Sequence, residues 1–181
     1  MKRDLRAVEV GSRRLSLRSF VPGDAPAIFK FATTTIARFM TWEPAPSLSA
    51  FAEIARNWLP LMEAGTDLFL VVRLASTRDF MGVVGLHGIG GLEPEIGIWI
   101  REDSHDRGYG REAIAATIAW ASERLGATGF MYPVVVENRP SRCLAESLGG
   151  TLVGNRELRK PSGIVLLEVV YRIPATASSN G

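Results

Sequence analysis

The segment Glu95–Ala113, EIGIWIREDSHDRGYGREA, sets glycines, arginines and carboxylates close together. An apolar strand-like run ends in a short loop carrying Gly108 and Gly110, and the loop passes into an amphipathic helix. Glycines at such a junction leave several main-chain N–H groups bare and convergent at the positive end of the helix, an arrangement that holds a phosphate or diphosphate. Arg107 and Arg111 bracket the turn and add charge of the right sign. Glu95 is the carboxylate of the strand. Partly buried there, it could accept a proton directly or through water; it could equally be a structural hydrogen-bonding group.

The surrounding periodicity says what must position these residues. Arg14–Phe20 alternates as a strand and forms a hairpin with Leu5–Val10 across Gly11. Pro22-Gly23-Asp24 stops it, and Asp24 is placed to cap a helix running to about Ala32. Residues 33–46 read as irregular, with a large apolar load. Ser47 or Ser49 caps a second helix with a stripe of Phe51, Ile54, Ala55, Trp58 and Met62, which Pro60 should kink or split. Strands follow at Leu68–Leu74, Phe80–His87 and Glu93–Ile100. A long helix from about Gly110 to Leu125 carries Ile114, Ile118, Ala121 and Leu125 at helical spacing. A strand over Thr128–Val136, a helix opened by Pro140, and a hairpin of Thr151–Arg156 with Ile164–Ile173 complete the order.

Bulk properties bound the rest. At 181 residues one domain is expected over 1–174, with a small polar, disordered tail at 175–181. Hydrophobic content of 46% and charged content of 22% are ordinary for a globular chain. No apolar run approaches the roughly 18 residues that span a bilayer, and the start lacks the apolar core of a secretory signal, so a cytoplasmic location and no membrane partner are expected. A net charge of +2 without a basic run argues against nucleic acid. The single cysteine, Cys143, forbids an internal disulfide and reads as a packing residue; with only two histidines, no metal site is expected.

The element order, with RGYGREA after EIGIW and ENRPSRCLAESLGG after the next strand, resembles the GNAT superfamily of acyl-CoA-dependent N-acyltransferases. LRSFVPGDA and FMTWEP bring it nearest the ribosomal-protein N-terminal acetyltransferase branch. The likeness spans about Leu15 to Ile173. It implies an α+β fold: a mixed, mostly antiparallel sheet of about six to seven strands, about four helices, and a V-shaped splay between the fourth and fifth strands. His105 stands where that family's phosphate motif has Arg or Gln, which puts a side-chain contact from this position in doubt.

The resemblance implies acetyl transfer from acetyl-CoA to a primary amine, a protein N-terminus or a small amine. Ile98, Trp99, Ile100 and Arg101 would bind the pantetheine arm along the backbone, with the N–H of Ile100 or Trp99 facing the oxyanion. Arg107, Gly108, Tyr109, Gly110 and Arg111 would hold the diphosphate, and Asn138, Ser141 and Arg142 would contact coenzyme A from the far side. Glu95 aligns with a glutamate that is the base in some members. The family's acid tyrosine falls on Ala145, so Ser141 or a water would assist the leaving thiolate. Phe39, Trp42 and Glu43 would wall the acceptor, or else plug the core beneath a loop. His87 would point into the acceptor slot as base or ligand, or be a structural residue at a strand end. Homodimers are common in look-alikes, and the FMTWEP loop offers apolar surface. The competing readings are an acyl-CoA sensor without catalysis and a site for another phosphate ligand such as a nucleotide.

Overall fold

The computed structural model describes residues 3–175; the expected tail lies, from 176 on, outside them. One mixed sheet carries the molecule. Its strands are β1 (Glu9–Gly11), β2 (Leu15–Ser19), β3 (Asp67–Leu74), β4 (Phe80–His87), β5 (Glu95–Ile100), β6 (Gly129–Val135), β7 (Thr151–Arg159) and β8 (Val165–Pro174), in spatial order β1-β2-β3-β4-β5-β6-β8-β7. Every neighbouring pair is antiparallel except β5–β6, which is parallel and meets at one registered pair, Glu95↔Met131. Beyond that pair the two strands diverge. The expected splay is there, counted between the fifth and sixth strands because Glu9–Gly11 pairs as a separate edge strand. Eight strands thus replace the six to seven expected.

Six α-helical segments cover the sheet rather than about four: α1 (Ala25–Phe31), α2 (Thr34–Ala37), α3 (Leu48–Arg56), α4 (Trp58–Ala64), α5 (Tyr109–Leu125) and α6 (Arg139–Ser147). Two differences make up the count. The predicted second helix is split at Asn57, three residues before Pro60, whose ring nitrogen donates no hydrogen bond and is tolerated only in a first turn. The run expected to be irregular contains α2, because the Thr33 hydroxyl caps it by accepting from the Ile36 N–H at 3.3 Å. Ser47, not Ser49, caps α3. Asp24 does not cap α1 with its side chain. It accepts from the Val21 N–H at 3.0 Å and binds the guanidinium groups of Arg18 and Arg73 at 2.7 and 3.0 Å, which compensates a carboxylate only 1% exposed.

Pleating divides the sheet between two cores. Leu68, Leu70, Val72, Val84, Leu86 and Ile96 face α5, whose Ile114, Ile118 and Ala121 are buried against them. The opposite face carries Asp67, Phe69, Gly85, His87, Glu95, Gly97 and Trp99, which the registers of β3, β4 and β5 set side by side. It is roofed by α1, α3, α4 and the 38–46 loop. Trp58 of α4 stacks on Phe69 with centroids 4.4 Å apart. Lys160, in the β7–β8 turn, is buried and donates to the Ala37 carbonyl at 2.8 Å, tying that hairpin to the roof at the negative end of α2.

Candidate active site

The loop before α5 shapes its mouth. Gly108 adopts φ +76°, a left-handed conformation glycine takes without steric penalty, and Asp106 shares that region at φ +59°. Gly110 is small for a packing reason: a Cβ there would lie 3.1 Å from Leu144 of α6 and 3.8 Å from Ile100 of β5. The main-chain N–H groups of Tyr109, Gly110 and Arg111 therefore open the helix without a side-chain cap.

Arg14, from the β1–β2 turn, braces this mouth. It lies over the Tyr109 ring at 4.5 Å, donates to the Arg107 carbonyl at 3.0 Å and bonds Glu112 at 2.6 Å. Partial burial pushes the Glu112 carboxyl up, but the Arg14 amide and guanidinium, with the Ser12 hydroxyl, outweigh it and hold the group below the usual carboxylate range. Arg107 is exposed at the mouth, whereas Arg111 reaches Ser147 on α6 at 3.2 Å. His105 turns back to the strand, its Nε2 2.7 Å from the Ile100 carbonyl; this accounts for a side chain whose contact the sequence left in doubt.

Hydrogen-bond direction alternates along β5. The Pro94 carbonyl accepts from Met131 on the β6 side, and the Arg101 N–H donates to Met81 on the β4 side. Ile98 and Ile100 therefore turn their main-chain groups toward the open splay, and Trp99 and Arg101 turn theirs toward β4. The Arg101 side chain also leaves the slot: it bonds Asp103 and the Phe80 carbonyl and lies over the Phe31 ring at 4.0 Å. Across the splay, the Asn138 side chain caps α6 by accepting from the Ser141 N–H at 3.3 Å. Ser141 Oγ is 2.7 Å from the Tyr132 hydroxyl, whose pKa burial pushes up to about 12. Arg142 folds away from the slot, onto Tyr171 and the Val136 carbonyl.

A cavity of about 350 Å³ joins this splay to the roofed face of the sheet. Its lining includes Asn138, Ser141 and Tyr132 on one side and Phe39, Trp42, Glu43 and His87 on the other. Trp42 packs edge-on to Trp99 with centroids 6.1 Å apart, and Glu43 is exposed at the rim. Paired Gly85 and Gly97 form a floor without side chains; a Cβ on Gly97 would meet nothing within 4 Å. Glu95 lies beside that floor, half-buried, with its two oxygens accepting from Arg156 at 2.9 and 3.3 Å. The same guanidinium donates to buried Glu168 at 2.7 Å. Hydrogen bonding to Glu95 comes first among the causes that raise the Arg156 pKa well above its ordinary value. Both oxygens of Glu95 are thus engaged by a guanidinium.

A family model described as an acetyltransferase (GNAT) domain matches residues 14–151, most of the chain. The chain belongs to the GNAT acetyltransferase family. No curated protein matches the sequence. Among solved structures, RimL, the ribosomal L7/L12 α-N-protein acetyltransferase in complex with coenzyme A, aligns at TM-score 0.82 and 18% identity over 92% of this chain and 98% of its own. A putative ribosomal-protein-serine acetyltransferase from Vibrio cholerae gives 0.81 and 21% over 93% and 98%. Mycobacterium smegmatis RimJ in complex with CoA-disulfide gives 0.81 and 19% over 93% and 88%. At these identities the likeness establishes the shared GNAT fold.

Several residues of the candidate site in this GNAT domain carry no motif in the sequence. Arg14, Asp67, Tyr132, Arg156 and Glu168 come from five separate places in the chain, and no local motif marks them. Asp67 alone left a signal, since pairing the Leu68 and Phe80 runs across their turn carries it toward His87. Cys143 corrects another expectation: it is exposed on α6 rather than packed. Among the described residues no cluster of His, Cys, Asp and Glu could hold a metal, and no helix is long and apolar enough to cross a membrane.

Proposed function

We propose that this GNAT domain is an acetyl-CoA-dependent N-acetyltransferase whose acceptor is a primary amine that attacks directly in a ternary complex. One observation carries the reading. Gly110 at the mouth of α5 lies against Ile100, and the cavity over Gly85 and Gly97 is lined by Ile98 of the same strand, so β5 runs from the mouth to the cavity. Bare N–H groups stand at one end of it and carboxylates at the other.

Acetyl-CoA would supply the thioester. The Gly108–Arg111 backbone, with Arg107, suits its diphosphate. Ile98 offers an N–H and a carbonyl to the pantetheine amides, and Ile100 its N–H, its carbonyl being engaged by His105. An N–H of Ile98 or Ile100 would stabilise the charge on the carbonyl oxygen during attack. Ser141, bonded to Tyr132, is the hydroxyl that would help the thiolate leave. The aromatic walls and the carboxylates Glu43 and Glu95 suit a cationic amine beside an apolar group, as at a peptide N-terminus or in a small apolar amine. The names of the structural neighbours support the peptide end.

The test is thiol release from acetyl-CoA with a panel of amines and N-terminally free peptides, alongside thermal shifts. Acetyl-CoA, but not ATP or NAD, should raise Tm, and at least one amine should release thiol. Equal stabilisation by a nucleotide would contradict the reading. Buried Ala145, at the position where the resemblance expects a tyrosine, favours one second reading, a coenzyme sensor; binding without turnover of any amine would establish it.

A further inference from the structure

The roofed face of the sheet holds a second arrangement, formed by Asp67 and His87, which face each other across the β3–β4 ladder. His87 Nδ1 lies 2.8 Å from Asp67 Oδ1. A carboxylate accepts, so Nδ1 carries the hydrogen and the lone pair of the neutral ring is on Nε2. Phe69, the next residue of β3 on the same face and the partner of Gly85, meets the ring edge-on with centroids 5.4 Å apart and fixes its tilt. The ring leans over Gly85: Nε2 would be 2.6 Å from a Cβ placed there, so any larger residue would push it aside. Nε2 has no hydrogen-bond partner among the described residues, and His87 lines the cavity above the Gly85–Gly97 floor. Glu95, opposite His87 on β5, has both oxygens on Arg156.

We propose that His87, oriented by Asp67 and admitted by Gly85, is the group that takes the proton from the acceptor ammonium. This rests on the acetyl-transfer reading above. The N–H bond of the ammonium breaks as its proton moves to Nε2, while Nδ1 keeps its hydrogen and goes on donating it to Asp67. The freed lone pair forms the C–N bond to the thioester carbon while the carbonyl π pair moves to oxygen. When that pair returns, the C–S bond breaks and sulfur leaves with its electrons. The second amine proton neutralises the thiolate, and His87 returns its own to solvent. His87 is then a catalytic residue and Asp67 a positioning residue. The charged groups around the imidazole are Asp67 from β3, which is bonded to it, and Glu43 from the roof loop, Glu93 just before β5, Glu95 from β5, Arg156 from β7 and Glu168 from β8, which line the cavities that His87 lines.

Two measurements test this. The chain has two histidines, so ¹⁵N–¹H correlation of the ring nitrogens resolves each one. The neutral His87 should be the Nδ1–H tautomer, switching to Nε2–H in Asp67→Asn. In kinetics with acetyl-CoA and the best amine of the panel, His87→Gln should lower kcat about 100-fold or more. It should also abolish the acid limb of the kcat–pH profile and leave KM for acetyl-CoA within twofold. Asp67→Asn should lower kcat at least tenfold with the limb displaced. An Nε2–H tautomer in the wild type overturns the assignment. So does a His87→Gln enzyme within threefold of wild type, or an acid limb that survives in His87→Gln and vanishes in Glu95→Gln; these results leave acetyl transfer standing. A wild type that releases no thiol with any amine would instead remove the acetyl-transfer reading on which this one rests.

Discussion

The mouth of α5 and the cavity over β4 and β5 are built by opposite means. At the mouth the working groups are main-chain N–H donors, and the side chains serve to leave them uncovered: Gly108 turns the chain and Gly110 lets α6 and β5 close in. Over Gly85 and Gly97 the backbone is spent on pairing β4 with β5, and the surface is built of side chains from separated segments: Trp42 and Phe39 from a loop, Trp58 from α4, His87 from β4, Arg156 from β7. A main-chain site tolerates any residue that does not obstruct it, which suits an invariant diphosphate. A side-chain site changes character with each substitution, which suits an acceptor that differs from one family member to the next.

Four changes would break or sharpen that contrast. Gly110→Asp should act most strongly, because it presses on Leu144 and sets a carboxylate beside the donors. KM for acetyl-CoA should rise about 100-fold, roughly 2.7 kcal/mol, read from initial rates; an unchanged KM would break the main-chain account. Next, Arg156→Met leaves Glu168 buried beside Glu95 without its cation. Arg156 is itself two-fifths exposed, so the loss should be about 2 kcal/mol, less than for a fully buried pair. Calorimetry should show Tm falling by about 4–8 °C, with acetyl-CoA binding intact in the folded protein. Gly97→Val fills open space above the floor. It should lower kcat/KM for the amine about tenfold, roughly 1.4 kcal/mol, and leave KM for acetyl-CoA within twofold; equal damage to both substrates would dissolve the distinction.

The smallest effect concerns pH. The folded Glu112 has a depressed pKa, so its contribution is complete above the unfolded carboxylate value near 4.3 and is lost as pH falls through the folded value. Arg14 is a third exposed and the pair is screened, so the contribution is under about 1 kcal/mol. Urea melts from pH 6 to pH 3 should be flatter for Glu112→Gln than for the wild type.

The same contrast explains what the sequence made legible. The mouth could be read because its requirements are local: two glycines, a strand before them and a periodic helix after. The element order followed from periodicity, and the splay from the resemblance. The residues around Glu95 could not be read that way. Arg156 reaches it only because β8 inserts between β6 and β7 and turns the hairpin over the slot, a topological fact with no short-range signature. The helix cap at Thr33 was missed because a threonine amid other threonines is a weak signal against tertiary packing, and the split expected from Pro60 falls three residues earlier, at Asn57.

In the proposed complex the N–H groups opening α5 grip the coenzyme's diphosphate. Titrating ¹⁵N-labelled protein with coenzyme A measures this directly. The amides of Gly108, Tyr109, Gly110 and Arg111 should shift downfield together and saturate with those of Ile98 and Ile100. Saturable binding that leaves those four amides in place would contradict it.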